Sequence, residues 1–508
     1  MLCEPYLLDP WPDGVHVVWH TERPEPAQAV LVGAAVPEMT GDAARAAATG
    51  PADEGRGWRR FPAEARPLSR TREDAESSVP GRRYDAVTRR PVYRQLAAVR
   101  GLSPGRTPYR VVSGSTVTAV YSLAPAAPAG QPVRLLLSSD HQLKPMVPAN
   151  LAQAADTLGA ALDGVLMAGD MVNVPDRASD WFDATAAPAF FRSFARILPH
   201  TPIFPAIGNH EVMGRWSETA TLDEQFNLPQ PDHWDVTTYE EMFPVPASAD
   251  GGPRWWSRTI GDVHVITLFA TQIWRPPDRE GRGKFQEALA DVDDPERWGH
   301  GQFIFEPIGR GSPQYRWLAA ELETDAFRDA RYRVVMFHHP SHGLGHGSVP
   351  PFTDPIPRRG PKTIEYDYPL ADDYILRDLE PLFSAAGVHL VFNGHSHLWN
   401  RFRNAAGVHW LETSNVGNSY GAFHAASGQS RMLPGGYVEQ GDPGGLAPIV
   451  PTIAPLRGPD GTPLPFVASN QITVFSELDS AAGVVRSYRF DTRTPDDAAI
   501  LFDEFPLT

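Results

Sequence analysis

Apolar and polar positions alternate over several short runs near the start of the chain, which is the pattern of half-buried β-strands. The strand-like runs are 15–20, 29–32, 109–112 and 116–121. Turn signals such as Pro104-Gly105 separate them from what precedes. Residues 41–90 are rich in Ala, Arg, Glu and Pro, and we predict a long, partly mobile insertion of solvated loop there. Because an Ala- and Pro-rich linker follows at 124–130, residues 1–128 are expected to form an all-β unit.

A different pattern begins at about residue 131, where short apolar runs alternate with stretches of helical period. Residues 149–162 repeat Leu and Ala at helical spacing, and 374–386 is a second amphipathic helix that ends at Gly387. This alternation predicts an α/β or layered αββα domain. The apolar runs predicted as strands are 133–137, 165–168, 202–207, 263–269, 333–337 and 388–392, with closing antiparallel strands at 472–475 and 484–490.

Five of these apolar runs end in a cluster of Asp, Asn or His. Ligands of a layered α/β sheet lie beyond the carboxyl ends of its strands, so we expect the clusters to meet in one small volume. Glycines within the clusters let the backbone turn sharply and approach an ion closely. The clusters are Asp140, Gly169-Asp170, Gly208-Asn209-His210-Glu211, His338-His339-Pro340 and Gly394-His395-Ser396-His397.

The side chains of these clusters are those of a metal site. Carboxylate, carboxamide and imidazole ligands suit first-row divalent or trivalent ions better than calcium. A carboxylate between two ions about 3.5–4 Å apart is an arrangement that cleaves phosphate esters, because the ions activate a water and neutralise the phosphoryl oxygens. The leaving alkoxide still needs a proton, and His210 beside Asn209 is in position to donate it. A single Gly-Asp or His-His pair would indicate only a turn or a polar pair, whereas the full series predicts a metal centre.

Composition narrows the class of substrate and partner. The 508 residues are 42% hydrophobic, enough for a large core, and 51 Pro with 43 Gly indicate long irregular loops. The net charge of −16 disfavours a nucleic-acid or membrane-surface binder, so an anionic substrate would need positive charge from bound metal. One cysteine, Cys3, excludes an intrachain disulfide or a multi-thiolate site. No run of transmembrane length and no signal-peptide pattern is present, so we expect a cytoplasmic protein.

The series of strand-end clusters resembles the calcineurin-like metallophosphoesterase superfamily. Segments 239–246, 314–318 and 398–401 extend the resemblance to the purple acid phosphatase branch, and 5–22 and 101–107 resemble its N-terminal fibronectin type III-like domain. The resemblance implies a multidomain protein. Residues 1–128 would form a fibronectin type III-like β-sandwich with the insertion at about 41–90, and 131–508 a four-layer αββα metallophosphoesterase domain.

The resemblance also implies a ligand set for two divalent or trivalent ions, with Mn, Fe, Zn or Mg as candidates. Asp170 would bridge the ions, and His210 would be the proton donor. His338 is chosen over His339 because the family's ligand lies two places before the proline, which leaves His339 as an additional ligand or as a residue that supports the ligands. The ligands of the first ion would be Asp140, Asp170 and His397, and those of the second Asp170, Asn209, His338 and His395.

Two positions depart from the family pattern. Gln142 stands where most of the superfamily has a histidine, and Asn173 stands where the purple branch has a tyrosine. The first ion therefore lacks a usual ligand, which an amide oxygen of Gln142 or Asn173, or a water, could replace. Weak or absent occupancy of that position stays open. Without the tyrosine we expect no ferric–tyrosinate centre and no purple colour. His141 should face away from the site on extended chain.

The leading hypothesis is an acid phosphatase-like phosphomonoesterase that uses a metal-activated hydroxide and acts on a small-molecule phosphate ester. Phosphodiester cleavage at the same centre is one alternative. The other is a silent binding or scaffold protein with a degenerate metal site, which Gln142 and Asn173 favour and the intact Asn209-His210 opposes. Long loops at 216–243, 341–369 and 415–465 are expected to wall the substrate, and Arg401 could contact it or pair with an acidic neighbour. Nothing in the sequence indicates an oligomeric state.

Overall fold

Two large β-sheets organise the chain in the computed structural model. The model describes residues 1–50, 55, 57–185, 188–214, 216–226, 234–245, 251–272, 286–288, 306–345, 352–354, 356–361, 363–430 and 438–508. None of the helices in these ranges is both long and apolar enough to cross a membrane.

The first sheet has ten strands and combines parallel and antiparallel pairing. Its strands are β1 (Tyr6–Trp11), β2 (Gly14–Thr21), β5 (Glu64–Pro67), β8 (Tyr93–Arg100), β12 (Arg134–Ser138), β13 (Gly164–Met167), β14 (Pro202–Pro205), β27 (Ile472–Asp479), β28 (Val484–Asp491) and β29 (Ile500–Pro506). Their order across the sheet is β29-β28-β27-β12-β13-β14-β1-β2-β8-β5. The strands β12, β13 and β14 are parallel, so their carboxyl ends share one edge.

The second sheet has seven strands in the order β15-β16-β18-β21-β23-β22-β26. They are β15 (Trp256–Ile260), β16 (Val263–Thr267), β18 (Tyr332–Met336), β21 (Leu390–Asn393), β22 (Trp399–Arg403), β23 (His409–Thr413) and β26 (Phe466–Val467). The central strands β16, β18, β21 and β23 are parallel. One hydrophobic core contains Leu136 and Leu166 of the first sheet with Val334 and Phe392 of the second, so the two sheets pack on each other.

The remaining strands form small sheets. Strands β3 (Gln28–Val32), β4 (Arg59–Pro62), β9 (Thr107–Ser113), β10 (Thr116–Val117) and β11 (Tyr121–Leu123) make one antiparallel sheet. The others are β6 (Arg72–Glu73) with β7 (Thr88–Arg89), β17 (Gln286–Ala288) with β20 (Thr363–Asp367) and β19 (Ile356–Arg359), and β24 (Leu456–Arg457) with β25 (Pro463–Leu464).

The α-helices are short and lie between strands. They are α1 (Gly41–Thr49), α2 (Val147–Leu158), α3 (Ala178–Phe182), α4 (Phe190–Ser193), α5 (Leu222–Phe226), α6 (Thr237–Met242), α7 (Pro313–Glu321), α8 (Asp325–Arg328) and α9 (Glu380–Ala386). A π-helix, Ile375–Leu379, leads into α9, and Gly387 ends α9 with a φ of 68°. The predicted helix over 374–386 is therefore confirmed, because glycine adopts the left-handed conformation that this helix end needs.

The N-terminal strands continue the first sheet. Strand β1 pairs in parallel with β14, and β2, β8 and β5 extend the sheet from β1. The N-terminal region is thus β-rich as expected, and its strands belong partly to the same sheet as the strands of the following domain. The boundary at 128/131, the fibronectin type III-like identity and the αββα layering stay predictions.

The expectation of solvated loop over 41–90 is wrong for much of that segment. Residues 41–49 form α1, whose Ala44 and Ala47 are buried. Arg70 and Arg72 are also buried, and both approach the buried carboxylate of Asp176. The Arg-rich composition of this segment suggested exposure, because arginine is usually at the surface. Here Arg70 and Arg72 are buried and form ion pairs with a residue far away in the sequence.

Candidate metal centre

All six predicted metal ligands lie together at the carboxyl edges of the two sheets. Asp140, Asp170 and Asn209 come shortly after β12, β13 and β14 of the first sheet. His338 follows β18, and His395 and His397 follow β21, in the second sheet. The six side chains are between 0% and 8% exposed. The two parallel sets of strands therefore bring residues that are up to 257 positions apart in sequence, Asp140 and His397, into one buried cluster.

Four of the ligand side chains converge on one point. His338 Nε2 is 3.2 Å from Asp170 Oδ2 and 3.1 Å from Asn209 Oδ1. His395 Nδ1 is 3.1 Å from the same Asn209 oxygen and 3.2 Å from His338 Nε2. These spacings between ligand atoms are those of groups that can share one cation.

Asp140 and His397 lie next to this point. His397 Nε2 is 3.5 Å from Asp140 Oδ1. Asp140, Asp170 and His338 each offer a ligand atom within 4.8 Å of the others. Buried carboxylate, amide and imidazole groups are typical ligands of first-row divalent cations, so the cluster fits such an ion.

Backbone carbonyls fix the orientation of two of the imidazoles. His338 Nδ1 donates to Ala168 O at 2.8 Å, and His397 Nδ1 donates to Asn418 O at 3.2 Å. Each ring therefore presents Nε2 to the cluster, which is how a protein usually holds a histidine ligand.

His339 packs behind the predicted ligands. Its Nδ1 is 2.9 Å from Thr271 Oγ1, and its ring lies 3.6 Å from that of His395 between centroids. His339, His338 and His395 also form a second group of mutually close ligand atoms. His339 thus packs against a predicted ligand and is itself close enough to be an additional one, so both predicted alternatives for it stay predictions.

The backbone at the cluster is shaped for close approach. Asp140, Asp170, His395 and His397 have positive φ values of 58°, 56°, 84° and 58°. Such conformations are unfavourable for residues other than glycine and concentrate at functional sites. A Cβ on Gly394 would collide with the Ser139 hydroxyl and the Asp140 carboxylate. Glycine is therefore required where the second sheet meets the first.

Burial and neighbouring charges set the protonation of the ligands. Burial, together with His338, lowers the pKa of His395 to about 3, which favours the neutral ring that binds metals. Burial also lowers the pKa of His397. For His338, burial acts in the same direction, but Asp170 overcomes it and raises the pKa to about 9. For Asp140, burial is outweighed by the hydrogen bond with His397, and the pKa falls to about 2. The cluster thus favours a positive charge beside Asp170, and a bound metal would displace the His338 proton.

His210 is half-buried beside the ligands. Its backbone N–H donates to Asp170 Oδ1 at 2.8 Å, and its ring Nδ1 lies 2.7 Å from Asn173 O. The Phe226 ring packs at 4.9 Å from the His210 ring between centroids. The bond to Asn173 leaves Nε2 of His210 available for proton transfer.

Gln142 and Asn173, the two residues that depart from the family pattern, differ in burial and in the groups that they contact. Asn173 has an exposed side chain and contributes its backbone carbonyl to His210. Replacement of the missing ligand by the amide oxygen of Asn173 or Gln142, or by a water, stays a prediction. Gln142 is buried, and its Nε2 donates to Asp170 Oδ2 at 2.8 Å. It therefore contacts the carboxylate that was predicted to bridge the ions. His141 turns away and stacks on Phe194, as expected.

The predicted substrate contact by Arg401 is wrong. Arg401 is 2% exposed, and its guanidinium donates to Asp503 at 2.8 and 3.0 Å. Its charge also lies over the Phe505 ring at 4.4 Å. The acidic neighbour is therefore the correct alternative for this residue. Parts of the loops expected to wall the substrate, 227–233, 346–351, 355, 362 and 431–437, lie outside the described residues.

Three buried titratable residues that support the centre were not assigned from the sequence. Glu211 accepts from the backbone N–H groups of Asp170, Met171 and Gly208 at 2.7–2.8 Å. Glu412 on β23 accepts from Ser396 N at 2.6 Å and so holds the chain between the two histidines. Lys144 donates to Asp140 O at 2.9 Å. Only Glu211 had a signal in the sequence, its place within a strand-end cluster; the other two become visible only through the fold.

Comparisons with known proteins agree with this geometry. The family model of calcineurin-like phosphoesterase matches residues 133–398. No curated protein matches the sequence. The solved structure of purple acid phosphatase PPD1 from yellow lupin (Lupinus luteus) seeds is similar in fold, with a TM-score of 0.56 and 14% identity over 99% of this chain and 73% of that chain. The structure of PhoD is similar too, with a TM-score of 0.50 and 12% identity over 99% of this chain and 90% of the other.

At these identities the two solved structures establish a likeness of fold. The family model covers more than half of the chain, including every predicted ligand. This protein therefore belongs to the calcineurin-like phosphoesterase family and is a metallophosphoesterase, a hydrolase of phosphate esters.

Proposed function

We propose that the protein is a phosphomonoesterase that works with two metal ions and uses His210 as its proton donor. The observation that carries the proposal is the meeting of six predicted ligands in one buried cluster, in which His338 Nε2 lies 3.2 Å from Asp170 Oδ2 and ligand atoms of Asp140, Asp170 and His338 lie within 4.8 Å of one another. A shared carboxylate flanked by two ligand sets is what a two-ion centre needs.

The two ligand sets divide at Asp170. His397 and Asp140 would hold the first ion, and Asn209, His338 and His395 the second, each set completed by Asp170. When bound, such ions supply positive charge to the phosphoryl oxygens and acidify a water. The donor set is compatible with Mn, Fe, Zn or Mg.

His210 has the environment of a general acid. Its Nδ1–H donates to Asn173 O at 2.7 Å, so the transferable proton is on Nε2 of the imidazolium. The His210 ring is less buried than the ligands, so a substrate can reach it. The Phe226 ring packs against it and restricts its orientation. Protonation of the leaving oxygen by such a group accelerates hydrolysis by about 10²–10⁴-fold.

Preference for monoesters is a further part of the proposal. The six ligand side chains are at most 8% exposed, so the phosphoryl group is the part of the substrate that is expected to reach them. A small-molecule ester as the substrate, a cytoplasmic location and a fibronectin type III-like N-terminal unit are further parts of this proposal.

Metal add-back tests the proposal. Chelator-stripped protein is assayed on 4-nitrophenyl phosphate and bis(4-nitrophenyl) phosphate after addition of Mn²⁺, Fe²⁺, Zn²⁺ or Mg²⁺. We expect metal to restore hydrolysis, with a larger kcat/KM for the monoester. A larger kcat/KM for the diester would contradict monoester preference. Folded, metal-loaded protein that hydrolyses neither ester would favour the scaffold alternative.

The role of His210 is tested with a matched histidine. His210→Ala should keep its metal content and lose about 10²–10⁴-fold in turnover of an alkyl phosphate, with a smaller loss for 4-nitrophenyl phosphate, whose leaving group needs no proton. His389→Ala is the control, because His389 is also half-buried but lies before β21, away from the ligand end. Equal losses on both esters would remove His210 from the proton-donor role.

A further inference from the structure

The two groups that orient the His210 ring belong to two different loops. The backbone oxygen of Asn173, 2.7 Å from His210 Nδ1, is on the loop that follows β13. The Phe226 ring, which packs 4.9 Å from the imidazole between centroids, is at the end of α5. Proton transfer needs hydrogen-bond distance to the reacting oxygen, so the His210 ring is in place only while both loops keep their positions.

The loop that follows β13 is bound to the N-terminal region of the chain. Arg72 N donates to Asp176 O at 2.8 Å, and the Arg72 guanidinium lies 3.8 Å from the Asp176 carboxylate. Arg177 Nη2 donates to Asp74 Oδ1 at 3.1 Å. All four side chains are buried. Buried ion pairs of this kind hold a loop firmly, because separating them would leave buried charges without a partner.

Arg72 also binds the segment 216–226, which ends in Phe226. Its Nη1 donates to Ser217 O at 2.6 Å, and its Nη2 donates to the side-chain oxygen of Gln225. Gln225 is fully buried and is the neighbour of Phe226 in the chain. One guanidinium group therefore contacts both ends of the segment that packs on His210.

Asp74 connects the same two loops. Its Oδ2 accepts from Leu222 N at 2.9 Å, at the start of α5, while its Oδ1 accepts from Arg177 on the loop after β13. Leu222 belongs to a small hydrophobic cluster with Val174, the residue next to Asn173. The same two residues of the N-terminal region thus hold both groups that orient the imidazole.

We propose that Arg72 and Asp74 are positioning residues for proton donation by His210, through their hold on the Asn173 carbonyl and the Phe226 ring. This inference rests on the proton-donor role of His210 in the proposed function. Its physical reason is geometric, since a displacement of about 1 Å at a reacting group costs up to about 10²-fold in rate even when the altered residue lies far from the chemistry.

Turnover of two esters that differ in leaving group tests the proposal on the full, metal-loaded chain. Arg72→Met should keep its metal content and lose about 10–100-fold in kcat on ethyl phosphate. The loss on 4-nitrophenyl phosphate should be less than about threefold, because its leaving group needs no proton. Arg72→Lys keeps the positive charge and should lose less on ethyl phosphate than Arg72→Met.

Arg401→Met is the matched control. Arg401 is another buried, ion-paired arginine, but its partner is Asp503 on β29. Its replacement should leave the ratio of the two kcat values unchanged. The double variant His210→Ala/Arg72→Met shows whether Arg72 acts through His210, since its loss on ethyl phosphate should equal that of His210→Ala alone.

A purely structural role of Arg72 would lower stability without any dependence on the leaving group. Equal losses on the two esters in folded Arg72→Met, or no loss on either, would therefore overturn the inference, and so would a further loss in the double variant. If Arg72→Met does not fold, Gln225→Ala removes the same connection from the side of α5 and is read in the same way.

Failure of the inference can be told apart from failure of the proposed function. If the metal-loaded wild type hydrolyses neither ester, or if His210→Ala loses equally on both, the proposed function fails and the positioning role fails with it. A selective loss on ethyl phosphate in His210→Ala, without one in Arg72→Met, would remove the positioning role alone.

Discussion

Replacing Glu211 with alanine removes the acceptor of three buried backbone N–H groups. Glu211 is fully buried; its Oε2 accepts from Gly208 N at 2.7 Å and Asp170 N at 2.8 Å, and its Oε1 accepts from Met171 N at 2.7 Å. These bonds tie the ends of β13 and β14 together, and both ends carry proposed ligands. The change should therefore lower both the free energy of unfolding and the affinity for metal.

The size of the effect follows from the number of orphaned donors. A buried donor without a partner costs about 1–3 kcal/mol, so three cost roughly 3–9 kcal/mol before relaxation. Water that enters the space left by the side chain reduces this to about 3–5 kcal/mol. Glu211→Gln can keep its amide oxygen at the position that serves two donors and loses only the bond to Met171, at a cost of about 1–3 kcal/mol.

Urea unfolding of metal-free protein, followed by circular dichroism, measures the effect. The expected order of stability is wild type, then Glu211→Gln, then Glu211→Ala. Glu64→Ala is the control, because Glu64 is exposed and pairs with the exposed Arg66, and its change should stay within about 0.5 kcal/mol. The reasoning is refuted if Glu211→Ala costs less than about 1 kcal/mol or if the glutamine variant is the less stable one.

Three other changes test separate parts of the structure. Gly394→Ala should abolish metal binding and turnover in a protein that still folds, because the added Cβ collides with groups of the first sheet; metal content and activity measure this. Burial would lower the pKa of His342, but Asp442 and Glu380 together raise it to about 9. The stability lost in Asp442→Asn should therefore be largest below pH 6.5 and shrink as pH rises through 9 in urea unfolding, by part of the roughly 3 kcal/mol that the whole shift represents, because Glu380 remains. Arg401→Met should lose about 3–5 kcal/mol of stability, since it leaves a buried carboxylate unpaired, while kcat/KM stays within about twofold.

Each of these changes has an outcome that would contradict it. Gly41→Ala is the control for Gly394→Ala, because Gly41 is a partly exposed helix start where a Cβ would make only an ordinary contact, 3.5 Å from the Arg45 side chain. Equal metal content in the two variants would remove the steric argument. A stability loss in Asp442→Asn that does not vary with pH would show that its ion pair with His342 does not form. A tenfold loss of kcat/KM in folded Arg401→Met would return that residue to the substrate site.

The ends of the parallel strands were the most predictable part of the fold. An apolar run that stops at Asp, Asn or His is a local signal, and parallel strands place such ends on one edge without further information. Asp170 and His338 therefore meet as the pattern indicates, although 168 positions separate them.

Features that depend on contacts between distant segments were not predictable in the same way. Nothing in the sequence of β1 indicates that it pairs in parallel with β14, because a short apolar run predicts a strand but not its partner. The burial of Arg70 and Arg401 depends on carboxylates far away in the chain, Asp176 and Asp503. Residue type alone favours exposure for arginine, and only the fold supplies the partner that reverses it.

An anomalous difference map from crystals saturated with Mn²⁺ tests the central claim most directly. Two peaks about 3.5–4 Å apart are expected on either side of the Asp170 carboxylate, one next to His397 and the other next to His338. A map without any peak that contacts Asp170, or with manganese bound only in an unrelated cavity, would contradict it.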